Sequence, residues 1–143
     1  MFYIPKHLNV DNGLMKKLFL LLFLIPNLVT ADYEFIFGKP GHGEYFLDED
    51  SVERKNGFIY YRYMVNYSEP DPSNFLSEVT VQQGECSKSR VKDLSLIWFI
   101  KQNGKGKSFN NSPYLSKNWV YVKKDSIEEL LLKIVCLPEK ISR

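Results

Sequence analysis

After residue 32 the chain alternates apolar and polar side chains, and only near its end does the spacing become helical. Tyr33–Phe37 (YEFIF) and Glu44–Asp48 (EYFLD) read as two short strands. Between them Gly38–Gly43 (GKPGHG) carries a proline and glycines that punctuate any regular element. Asp48–Gly57 is polar and ends in Asn56-Gly57, a hairpin pair because both residues tolerate positive φ. Phe58–Tyr67 (FIYYRYMVNY) is the clearest long strand, with Ile59, Tyr61, Tyr63, Val65 and Tyr67 on one face and Phe58, Tyr60, Arg62, Met64 and Asn66 on the other. The first face is apolar and the second mixed, which describes a sheet wet on one side.

Ser68–Asn74 (SEPDPSN) is a loop by composition, and Leu76–Cys86 alternates again, Val79 and Val81 against Glu78, Thr80 and Gln82. Arg90–Lys101 (RVKDLSLIWFIK) is apolar on both faces over its outer half, as expected of a central strand with a sheet core on one side and a covering element on the other. Gln102–Lys107 (QNGKGK) reads as a turn, Asn110–Pro113 as a loop and Trp119–Val122 (WVYV) as a last strand. Asp125–Cys136 changes period: Ile127, Leu130, Leu131, Ile134 and Val135 form one apolar stripe, Asp125 or Ser126 caps its start with Glu128 or Glu129 completing a capping box, and Pro138 stops it. The expected fold is α+β, a single antiparallel sheet of about six strands packed with a C-terminal α-helix, whose stripe covers the strand that carries Trp98.

The N-terminal region divides differently. Residues 1–14 show no period and read as an extension upstream of Met15, the better start. Residues 15–31 have the three parts of a secretory signal: Lys16 and Lys17, the apolar run Leu18–Ile25, and Val29-Thr30-Ala31 before Asp32. Leu18–Val29, with Pro26 and Asn27 inside it, falls well short of the ~20 apolar residues that span a bilayer. No cysteine lies near the cleavage point to carry a lipid, so no stable membrane anchor is expected after cleavage. Residues 32–143 then form one exported domain, ending in the periplasm, at the outer surface or in the medium.

Composition refines this picture in two ways. The chain of 143 residues has a formal charge of +2, and three of its 19 Lys and Arg (Lys6, Lys16, Lys17) but only one of its 17 acids (Asp11) precede residue 32. The remainder is neutral, which argues against nucleic acid as a partner, since that binding feeds on counterion release. Export also changes the reading of the two cysteines, Cys86 and Cys136. In an oxidising compartment they pair, closing a loop of about 50 residues worth roughly 4 kcal/mol, while in a reducing one they would be two buried thiols. Two distant cysteines and a lone downstream histidine, His42, do not supply a zinc ligand set, so no metal and no cofactor is expected.

Candidate chemistry is sparse. His42 sits in a glycine-rich turn with no motif placing a nucleophile beside it, and no catalytic residue is assigned. Asp48, Glu49, Asp50 and Glu53 lack the glycine and spacing of a calcium loop and read as a solvated turn. Lys107-Ser108 follows two glycines, but no helix-forming run follows to complete a phosphate cradle. Tyr60 and Arg62 on the wet face are the candidate binding residues, being of types enriched at recognition hot spots, though ordinary cross-strand pairing on a solvated sheet is the favoured account of them. Sheet edges offer a route to a homo-oligomer.

In order and spacing the chain resembles the surface-adhesin protein E family of small exported proteins of Gram-negative bacteria. The residues that carry the resemblance are Tyr45–Val52 (YFLDEDSV), the long strand, Glu85-Cys86 followed by Arg90, Gly104–Lys107 (GKGK), Trp119, and Ile134–Cys136 (IVC). The resemblance implies a bent antiparallel sheet packed with a C-terminal helix. It further implies adhesion to host extracellular-matrix and serum proteins. The expectation from the sequence is thus an exported, non-enzymatic domain of unknown ligand, adhesin-like by resemblance, with a periplasmic structural or protein-interaction domain as the alternative.

Overall fold

The computed structural model of the protein describes residues 31–138; the upstream extension (1–14) and the signal segment up to residue 30 lie outside the described residues. The strands are β1 (Tyr33–Lys39), β2 (Gly43–Lys55), β3 (Phe58–Asn66), β4 (Ser77–Glu85), β5 (Arg90–Lys101), β6 (Lys105–Asn110) and β7 (Val120–Tyr121), followed by helix α1 (Ile127–Cys136). They form one antiparallel sheet ordered β1-β2-β3-β4-β5-β6, with β7 also pairing β5. Each of β2 to β6 lies beside its predecessor in sequence, joined by short turns except for the ten-residue loop (67–76) between β3 and β4. At Asn56-Gly57 both residues have positive φ (53° and 80°), the geometry whose twist matches the flanking strands.

Two stretches read as connections are strands. β2 continues through Asp48–Lys55, with a register shift between Asp48 and Glu53 that absorbs the extra residues. The polar composition there reflects a bulge and an exposed hairpin arm rather than a loop. The other unexpected strand, β6, is KGKSFN, with every residue exposed. It holds its place only as an edge partner of β5, and a wet edge strand shows no apolar alternation to read.

Helix α1 has Ser126 as N-cap, its Oγ accepting from the Glu129 N–H at 3.2 Å, while Glu129 Oε2 accepts from the Asp125 N–H at 2.8 Å. At the other end Arg54 reaches over from β2 and donates to the carbonyls of Val135 (2.8 Å) and Leu137 (2.5 Å), supplying cationic donors where the helix leaves orphan acceptors. The helix packs on β2 to β5: Leu131, Leu132 and Val135 meet Leu47, Ile59, Tyr61, Tyr63, Val65 and Val91 in one core.

The helix therefore sits elsewhere than the stripe predicts. Leu132 is buried and Leu130 is 37% exposed. The reason is Gly84 on β4, where a Cβ would stand 2.7 Å from Leu132 Cδ1 and 3.0 Å from Ile59 Cγ2. The missing side chain opens a hollow that Leu132 fills. Trp98 is not under the helix; it stacks against Phe75 and Phe109, with ring centroids 5.4 Å and 6.2 Å away, and its indole N–H donates to Glu78 Oε2 at 3.2 Å. The second apolar face of β5 is thus served by an aromatic cluster at the sheet's outer edge.

Candidate functional site

The face of the sheet opposite α1 holds the two binding candidates. Register pairs Asp48 with Arg62 and Arg62 with Val81, and Tyr60 with Gln83, so all project where the helix does not reach. Arg62 donates through Nε to Asp48 Oδ2 at 2.8 Å and pairs with the same oxygen through its terminal nitrogen. Asp48 is 0% exposed. The Asp48 hydrogen bond raises the Arg62 pKa further above its usual value. Asp48 Oδ1 has no hydrogen-bond partner among the described residues. Ser51 locks the bulge beside it, donating to the Asp48 carbonyl (2.6 Å) and accepting the Arg62 N–H (2.8 Å). Asp48 is consequently not part of a solvated turn, as its sequence neighbours imply, but a buried counterion. Tyr60 stands beside it, its hydroxyl accepting from Gln83 Nε2 at 3.1 Å.

The two cysteines meet at one end of the molecule. Cys86 and Cys136 are joined with their Cα atoms 5.9 Å apart, tying the turn after β4 to the last residue of α1. Glu85 lies next to the bridge between Lys88 (2.8 Å) and Arg90 (2.5 Å), which hold its carboxyl below the usual range. Arg90 and Lys92 in turn sit over the ring of Trp119 at 4.6 Å and 4.8 Å from its centroid, and Phe58 stacks against the same ring at 5.5 Å. The residue pattern marks Trp119 only as a strand residue, and the family resemblance gives it no contact. Its role as the plate that carries two cations depends on β5 and the segment leading to β7 being brought together, for which no local pattern exists.

Two clefts flank the helix. One, of about 660 Å³, is lined by Phe37, His42, Tyr45 and the first turns of α1. His42 is exposed there, and the one hydroxyl on the helix side, Ser126 Oγ, is engaged as the helix cap. The other, about 440 Å³, lies among Tyr63, Gln82, Asp93, Tyr121 and Glu128. Its floor is a relay in which the Tyr61 hydroxyl donates to Gln82 Oε1 and Gln82 Nε2 donates to Asp93 Oδ1 at 2.6 Å. Burial pushes the phenols of Tyr61 and Tyr63 up, and Asp93 adds to the effect. Neither cleft pairs a nucleophile with a base. Among the described residues no group of three or more His, Cys, Asp or Glu gathers to hold a metal ion, and no helix is long and apolar enough to cross a membrane.

The model of the family described as Surface-adhesin protein E matches residues 34–137. No curated protein matches the chain. Among solved structures, crystal form II of Haemophilus influenzae protein E is similar at a TM-score of 0.57 and 17% identity, covering 78% of this chain and 91% of that one. Protein E from non-typeable Haemophilus influenzae is similar at a TM-score of 0.55 and 17% identity, covering 78% and 79%. At this identity the structural likeness speaks for the fold: one antiparallel sheet and a C-terminal helix.

Proposed function

The chain belongs to the surface-adhesin protein E family, and from that premise we propose that it is exported by its residue 15–31 signal and acts without catalysis, as an adhesin-like module that binds host extracellular-matrix or other proteins. The family implies a surface or exported protein. The observation that carries the binding reading is the arrangement of Arg62: its guanidinium side chain is 41% exposed, yet it is held on the buried Asp48 on the sheet face away from the helix. An arginine already fixed in place, with Tyr60 beside it, loses little conformational freedom on binding a partner.

A second reading, an exported interaction or structural domain with no adhesive role, draws support from the same bonds, since Tyr60 and Arg62 both find partners within the sheet. Binding of the purified protein to a panel of immobilised matrix and serum proteins separates the two. Adhesion predicts a bound partner and a loss of affinity in Tyr60→Ala and Arg62→Lys without loss of stability. If the protein binds nothing on the panel, the adhesive reading fails.

A further inference from the structure

We propose that the β5–β6 hairpin is a docking surface for a sulfated polysaccharide chain, gripped by Lys101, Lys105 and Lys107. Lys101 and Lys105 are direct cross-strand partners, and Lys107 follows in the same edge strand. All three are exposed. Like charges placed opposite one another destabilise a sheet. None of these three lysines makes an ion pair among the described residues, so within the fold no carboxylate offsets the charge of the opposed pair. The repulsion is left for an outside anion to relieve.

The tip that carries them is clamped. Buried Asn66 accepts from the Asn103 N–H at 2.7 Å and donates to the Asn103 side-chain oxygen at 2.8 Å. Ser77, 0% exposed, donates to the Lys101 carbonyl at 2.6 Å and accepts from the Gly104 N–H at 3.1 Å. Asn103 and Gly104 take left-handed φ values of 61° and 63°, so the turn itself is tight. Two buried polar side chains thus hold one exposed hairpin in a single shape, which lowers the ordering cost of binding. Lysines on an edge strand also discourage pairing with another strand, but that role calls for neither the opposed pair nor the clamp.

The chemistry of the partner follows from the shape and the charges. The site is an open edge rather than an enclosed pocket, so it suits a repeating anionic chain and not a small ion, which needs to be surrounded. Lysine ammonium groups act as hydrated point charges and do not offer the planar fork that selects carboxylates. Outside a cell, where this family acts, the repeating point anions on animal surfaces are sulfates on polysaccharide. The inference rests on the exported, host-facing setting of the proposed function, but its ligand is not a protein.

Heparin is the probe. The full chain is expected to bind immobilised heparin at low salt and to be released as ionic strength rises. Replacing all three lysines (Lys101→Gln, Lys105→Gln, Lys107→Gln) should weaken binding about tenfold or more, from three exposed ion pairs. The arginine triple at the same positions should retain it. A triple of equal charge change elsewhere (Lys55→Gln, Lys117→Gln, Lys124→Gln) should leave it within about twofold. The proposal is overturned if the chain does not bind heparin, if the hairpin glutamine triple binds as tightly as the original, or if the distant triple loses as much. Failure to bind matrix proteins leaves each of these readouts intact.

Discussion

Arg62 and Asp48 form an ion pair in which one partner is half in water and the other wholly out of it. The pair spans the β2–β3 ladder beside a bulge that Ser51 locks from both sides. A carboxylate this deep depends on its cation. Its second oxygen, already without a partner among the described residues, offers no alternative anchor.

Arg62→Ala is therefore expected to destabilise the protein by about 3–5 kcal/mol, the usual consequence of stranding a buried charge. Replacing both residues with apolar ones of similar size (Asp48→Leu with Arg62→Met) should recover most of that loss. Urea denaturation of the single and double variants measures both. Equal stability of Arg62→Ala and the original protein would mean that Asp48 is solvated.

The Cys86–Cys136 bond is expected to contribute roughly 4 kcal/mol through the loop of 50 residues it closes. Cys86→Ser with Cys136→Ser, or reduction of the native chain, should lower the denaturation midpoint accordingly. A reduced protein of unchanged stability argues against the bridge as a structural staple.

Gly84→Ala tests how the helix is seated. With Leu132 Cδ1 at 2.7 Å and Ile59 Cγ2 at 3.0 Å from the added carbon, we expect a loss of about 1–3 kcal/mol, the range for overfilling a packed core. Combining it with Leu132→Ala, which empties the space, should cost less than the sum of the two single changes. Strict additivity would show that the two residues do not meet.

Alkaline pH should unfold the protein early. Tyr61 and Tyr63 are buried and their phenols ionise above the ordinary value of 10. Because the folded-state value is raised, their contribution is complete below pH 10 and shrinks as pH climbs past it, when the unfolded chain ionises and the folded one does not. Each should remove about 1.4 kcal/mol per pH unit in that range. Stability followed from pH 9 to 11.5, with Tyr61→Phe and Tyr63→Phe flattening the slope, checks the sign; a flat profile in the original protein refutes it.

Much of the fold was legible because it is local. Alternation in Phe58–Tyr67, Asn-Gly at 56–57, the Ser126 cap and the switch to helical spacing after Asp125 each depend on neighbours a few residues apart. The binding candidates were legible only as residue types. That Tyr60 and Arg62 share a face follows from the two-residue period, but that Arg62 is held by Asp48 depends on a strand that the polar run Asp48–Lys55 disguises.

The sequence by itself determined an α+β fold of one antiparallel sheet with a C-terminal helix, one apolar sheet face and the pairing of its two cysteines if exported, since periodicity, turn residues and covalent chemistry are written in adjacent or unique positions. The tertiary structure alone decided the rest. Which way α1 turns was set by the hollow at Gly84, where Trp98 goes by aromatic partners from the loop before β4 and from β6, and the lysine hairpin's rigidity by Asn66 and Ser77 from other strands. These are contacts between residues far apart in sequence, whose energies depend on mutual fit and burial rather than on any residue's own propensity.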